Sequence, residues 1–166
     1  VLARPDAAMS AAQRAIVDSV LFDSGRPVLL TPPGWDERAI GRTIALGWNA
    51  KREAAQALSA AAPLIDRAEK VIVFTVDARP GGKGHGDLPG ADIAAHLARR
   101  GISAEVVNVE SGVRSDGAAL MEASLAAHAD MLVIGAYGHS RIQQFVLGGV
   151  TRELMAECPI PLFMTH

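Results

Sequence analysis

The chain has a single cysteine, Cys158, so it cannot form an intrachain disulfide; a reducing, cytoplasmic setting is the natural expectation. Cys158 stands beside Pro159 in apolar surroundings, which suits a structural thiol better than a nucleophile. Aromatic residues make up only 4% of the chain, with no basic–aromatic stripe, which argues against a nucleic-acid surface. Charge of one sign is also missing: 16 basic residues face 18 acidic ones, for a net charge of −2, so no acidic membrane or polyanion is implied as partner. No apolar run reaches the length of a membrane span, and no signal-like segment precedes the first element. There is no initiator methionine; Val1-Leu2-Ala3 reads as the end of a strand, so residues before Val1 are expected in the natural protein.

Catalytic patterns are missing too. The five histidines, His85, His96, His128, His139 and His166, show no metal-ligand spacing. Gly138-His139-Ser140 is followed by Arg141-Ile142 and therefore makes no nucleophile elbow. Gly82-Lys83-Gly84 lies in a glycine- and proline-rich stretch, Asp77 to Pro89, and reads as a mobile loop, not a phosphate-binding lysine loop. Asp66, Asp92 and Asp116 fall on different elements. No set of residues for fast catalysis is present, and any ATP hydrolysis is expected to be slow.

What is present centres on Asp130 to Thr151. A continuous apolar run, Met131 to Ile134, suits a strand buried on both faces. It stops at Gly135, with further glycines at Gly138, Gly148 and Gly149. Glycine turns can take positive φ and let a ligand lie against main-chain N–H groups, and a helix start adds further donors. The stretch reads as a phosphate cradle on the C-terminal edge of a sheet.

The spacing G-x2-G-x9-G at Gly135, Gly138 and Gly148 resembles the ATP-binding signature of the universal stress proteins, over roughly Arg42 to the C-terminus. In that family the last glycine is followed by Ser or Thr; here Gly149 follows, and Thr151 stands where a second hydroxyl is often found. The resemblance implies a nucleotide site formed by Trp48, Asn49 and Ala50, by Val76 at an adenine edge, and by Ile134, Gly135, Gly138, His139, Arg141, Gly148, Gly149, Val150 and Thr151. Asn49 occupies the family's usual Asp position, keeping hydrogen-bonding capacity without charge. The implied ligand is ATP, or AMP or ADP, with Mg2+ as its companion ion. The implied action is ligand-dependent association in a stress response. The alternative is a degenerate domain that binds no nucleotide and serves as a dimerisation or interaction module, and a third reading is a nucleotidyl-transfer enzyme or hydrolase.

The rest of the chain alternates strand and helix. Thr43–Leu46, Val71–Val76, Ala104–Val109, Met131–Ile134 and Pro161–Met164 read as strands. Arg52–Ala62, Ala91–Arg100, Asp116–His128 and Val150–Glu157 read as the helices between them. This order predicts an α/β, doubly wound, five-stranded parallel sheet in the flavodoxin- or Rossmann-like order 3-2-1-4-5, with the crevice between its first and fourth strands. Residues 1–31 repeat the grammar of the chain's end: in both copies an apolar residue in the helix's last turn stands seven places before the strand proline, Val20 to Pro27 and Leu154 to Pro161. Residues 1–41 are therefore expected to be the C-terminal remnant of a first domain plus a linker, and 42–166 a complete domain. The first copy has Arg4-Pro5-Asp6 in place of the glycine turn, so no nucleotide is expected there. By resemblance, Pro27–Leu30 and Pro161–Met164 are expected to pair, as a homodimer or an intrachain pseudo-dimer.

Overall fold

A computed structural model describes residues 1–4, 11–35, 39–81, 88–136 and 149–165. The chain opens with β1 (Leu2–Ala3), α1 (Ala11–Asp23) and β2 (Val28–Thr31). Next come β3 (Thr43–Gly47), α2 (Arg52–Ala60), the short α3 (Ala62–Ile65) and β4 (Lys70–Val76). The remaining elements are α4 (Ala91–Arg99), β5 (Ala104–Val109), α5 (Asp116–Ala126), β6 (Met131–Gly135), α6 (Gly149–Glu157) and β7 (Leu162–Thr165).

The sheet order is β1-β2-β7-β6-β3-β4-β5. Within it β5-β4-β3-β6-β7 is the expected 3-2-1-4-5 arrangement, all parallel. The expected count of five strands is corrected to seven, because β2 joins β7 antiparallel and carries β1 with it. An edge strand as apolar as Leu162-Phe163-Met164 needs a partner for its outward N–H and C=O groups, and β2 supplies them.

Period-two alternation sends side chains to two cores. Ala45, Ile72, Phe74, Leu132, Ile134, Leu162 and Met164 pack with Val17 and Leu21 of α1, Leu120 of α5 and Leu154 of α6. Ile44, Leu46, Val71, Val73, Met131, Val133 and Phe163 pack on the other face with Ala57 and Leu58 of α2, Ile65 of α3, and Ile93 and Leu97 of α4. Both faces are thus covered, which explains why the interior strands read as continuous apolar runs.

Two details differ from the sequence reading. The helix expected to run to Ala62 ends at Ala60, and Pro63 sits in the first turn of α3, where its missing N–H costs nothing. The helix expected to reach His128 ends at Ala126, with His128 at φ 54° in a left-handed cap position and Ala129 N–H donating to Ser124 O. At the opposite edge of the sheet from the crevice, Asp130 accepts N–H bonds from Gly41, Arg42 and Thr43, tying the start of β3 to β6.

Candidate functional site

β3 lies between β4 and β6, and the sheet's winding reverses there. From β3 the chain passes to α2 on one face, and from β6 it proceeds to α6 on the other. The C-terminal ends of β3 and β6, between helices on opposite faces, mark the expected crevice, the usual ligand position in an open α/β sheet.

On the β3 side, Trp48 N–H donates to Phe74 O at 2.8 Å, the last rung between β3 and β4. Asn49 Oδ1 accepts from Lys51 N–H at 3.1 Å, an Asx turn that leads into α2. Between them Ala50 takes φ 54°, a left-handed conformation that favours glycine. The unusual backbone is thus at Ala50, with Asn49 holding the turn around it.

On the β4 side, Asp77 N–H donates to Val109 O at 2.9 Å, toward β5. Because ladder groups alternate sides, the N–H and C=O of Val76 face the β3 side, one step past the Trp48 rung, where β3 has ended. Asp77 is left-handed, at φ 47°. Its carboxylate accepts the Ser111 Oγ–H, and also the Ser111 N–H at 3.1 Å; those two bonds hold its pKa below the ordinary carboxylate value. The Asn108 side chain bridges both backbone groups of Ala78, at 3.1 and 3.0 Å. The strand exit beside Val76 is therefore fixed.

On the β6 side, Ile134 is buried among the first core, and Ala136 N–H donates to Thr165 O at 2.8 Å. Gly135 has no positive φ. Its glycine character serves packing: an added Cβ would stand 2.3 Å from the carbonyl carbon of Glu53 and 2.6 Å from Ala54 N, in the backbone of α2. At Gly47 the contact is softer, since an added Cβ would first meet side-chain atoms, Leu120 Cδ2 at 2.9 Å and Ile134 Cγ2 at 3.0 Å. Gly138, His139, Arg141 and Gly148 lie outside the described residues. Gly149, Val150 and Thr151 form the first turn of α6; Thr151 is buried, and among the described residues nothing lies within 4 Å of a Cβ built on Gly149.

The structure thus gathers Trp48, Asn49, Ala50, Val76, Ile134 and Gly135 at three neighbouring strand ends. One residue the sequence reading missed is Glu153. Its carboxylate accepts from Ser115 Oγ at 2.6 Å, at the start of α5, and Gly117 leaves the room: a Cβ there would stand 2.3 Å from Glu153 Oε2. Ser115 Oγ in turn accepts from Ala118 N–H at 3.1 Å, so one carboxylate fixes α6 against a capped helix start. The signal was a glycine inside a helix, facing a glutamate one turn into the next. Among the described residues no three His, Cys, Asp or Glu side chains are grouped to hold a metal, and no helix is long and apolar enough to cross a membrane.

A sequence model described as the Universal stress protein family matches residues 34–166. No curated protein sequence matches significantly. Among solved structures, a universal stress protein from Archaeoglobus fulgidus is similar at TM-score 0.71 and 19% identity; the alignment covers 91% of this chain but 55% of that one, so this chain spans about half its length. A protein of the universal stress protein family from Burkholderia pseudomallei matches at TM-score 0.55 and 20% identity, over 76% of this chain and 97% of its own. Universal stress protein UspA from Lactobacillus plantarum matches at 0.53 and 13%, over 78% and 100%. At these identities the likeness is one of fold.

Proposed function

Because this chain belongs to the universal stress protein family, we propose that it binds ATP, or AMP or ADP, in the crevice between β3 and β6, and acts by ligand-dependent association with no fast turnover. The observation that carries the reading is the meeting of Trp48–Ala50 with the exits of β4 and β6 at the point where the sheet's winding reverses. Val76 offers an N–H and a C=O suited to an adenine edge. Asn49, with its oxygen engaged by Lys51, offers its Nδ2 to a ribose hydroxyl. The first turn of α6 offers N–H donors to phosphates, and Mg2+ would be held by those phosphates and water, as is usual for this ion.

Gly149 supplies a direct test. It is helical and no described residue crowds it, so Gly149→Ser adds a hydroxyl without a clash among the described residues. A hydrogen bond to an anion contributes about 1.5–3 kcal/mol, so calorimetric ATP affinity should rise at least about tenfold, with the melting temperature of the free protein unchanged. No ATP, ADP or AMP binding to either form, with no nucleotide released from freshly purified protein in mass spectrometry, would reject the reading. That result would favour a domain that only pairs, to which the packing role of Gly135 and the internal bond of Asn49 already lend support.

The antiparallel contact of β2 with β7 supports an intrachain pseudo-dimer between a remnant of a first domain, residues 1–41, and the domain 42–166. Its register, Val28 with Met164, Leu29 with Phe163 and Leu30 with Leu162, is the self-complementary one a two-fold axis requires.

A further inference from the structure

The second core leaves a groove on its outer side, running from Trp48 at the crevice rim down between α2–α3 and α4, with a volume of about 670 Å³. It exists because the flank of α2–α3 that faces α4 carries Ala55, Ser59 and Ala62, all small. At about 1.5 Å per residue that flank is about 10 Å long. The floor is apolar, from Leu58 and Ile93, and the upper end is closed by the Trp48 indole. No hydrogen bond holds that ring: Nε1 is buried without a partner among the described residues. The opposite wall is polarised. Asp92 stands near the upper end, while His96, Arg99 and Arg100 line the lower end. Arg100 is paired with Asp66 at 2.5 Å, which leaves Arg99 and His96 to face a guest.

We propose that this groove binds a medium-chain organic carboxylate, its alkyl body on Leu58 and Ile93 beneath Trp48 and its head group at Arg99 and His96. The orientation follows from charge: Asp92 repels an anion at the Trp48 end, and Arg99 attracts it at the other, where Arg100 is already paired with Asp66. A volume of this size, apolar with a few convergent polar groups, is typical of small-molecule sites. The inference does not depend on nucleotide binding: the groove shares only Trp48 with the crevice rim, and its other lining residues lie along the helices.

The test is titration of the full chain carrying Trp35→Phe, so that Trp48 alone reports, with decanoate below its micellar range. Decanol and decyltrimethylammonium serve as uncharged and cationic controls. Decanoate should saturate a single site, with decanol at least about tenfold weaker and the cation weaker still. Ser59→Leu, at an exposed position, should abolish binding with an unchanged melting temperature; if that variant unfolds, Ala55→Leu fills the same space. Arg99→Glu should weaken decanoate about tenfold and leave decanol unaffected. Saturating ATP should leave decanoate affinity unchanged. Failure to saturate, equal affinity for decanol, undiminished binding to a folded groove-filling variant, or displacement by ATP would each overturn the proposal. Absence of ATP binding alone would count only against the nucleotide reading.

Discussion

The two strand–helix–strand units, β1-α1-β2 and β6-α6-β7, correspond strand for strand and helix for helix, the second having two more residues between its first strand and the matching part of its helix. Leu30 and Met164 each stand three places after the strand proline; their partners, Leu2 and Ile134, are therefore equivalent, and so are Ala3 and Gly135. The backbone agrees: Arg4 N–H donates to Thr31 O at 2.7 Å, as Ala136 N–H does to Thr165 O at 2.8 Å. The same helix spacing makes Val17 equivalent to Thr151, both 4% exposed. The differences then fall at named positions. The second unit has glycine where a helix backbone presses on the strand, and a hydroxyl in the first turn of its helix; the first has a methyl and an isopropyl group. One set of rules builds both units, and at these positions they differ by only a few atoms.

The comparison can be broken most severely at Gly135. A β-branched residue there meets backbone that cannot move aside, so Gly135→Val should lower the urea unfolding free energy by about 3 kcal/mol or more. Ala3→Gly, its counterpart, should cost about 1 kcal/mol at most. Equal costs would show that the close contact is not what separates the units. Next is the centre of the pseudo-two-fold, where Leu29 meets Phe163. Phe163 is buried in the second core and Leu29 only partly so, and alanine should cost about 3 kcal/mol at Phe163 but about 1–2 kcal/mol at Leu29, by the same measurement. A smaller effect is expected at Thr151. Thr151→Val copies the first unit's Val17, and calorimetry should show ATP affinity reduced about tenfold with little change in stability.

The smallest effect lies on the rim that the second unit shares with β4. Asp77 has its pKa depressed by the Ser111 hydroxyl and then by the Ser111 N–H. Such a group adds stability above the ordinary carboxylate pKa, and that stability is lost as pH falls through the depressed value. In Ser111→Ala the Asp77 pKa should rise toward the ordinary value, as read by NMR titration. The variant should also lose less stability than the parent between neutral and strongly acidic pH.

Much of this architecture was legible because its causes are local. Apolar runs such as Val71–Val76 and Met131–Ile134, bounded by turn residues, read as interior strands, and the structure shows them as β4 and β6. What escaped depends on contacts between distant segments. Nothing near Gly135 in sequence reveals that Glu53 and Ala54 press on it, so its glycine reads as a turn signal when it is a packing requirement. Ala50 carries no left-handed preference; its φ is imposed by the Asx turn of Asn49 and the rung at Trp48. Glu153 reads as a solvated helix residue until α5 is brought beside α6.

The antiparallel seam between β2 and β7 has a final consequence. The seat beside β7, which a separate molecule would have to find by diffusion, is occupied from within by a tether that runs only from Thr31 to Thr43. A short tether of this kind holds its two ends at an effective concentration of about millimolar. Dilution that would separate two independent chains should therefore leave this junction zipped, and a ligand that modulates assembly must act on some other surface.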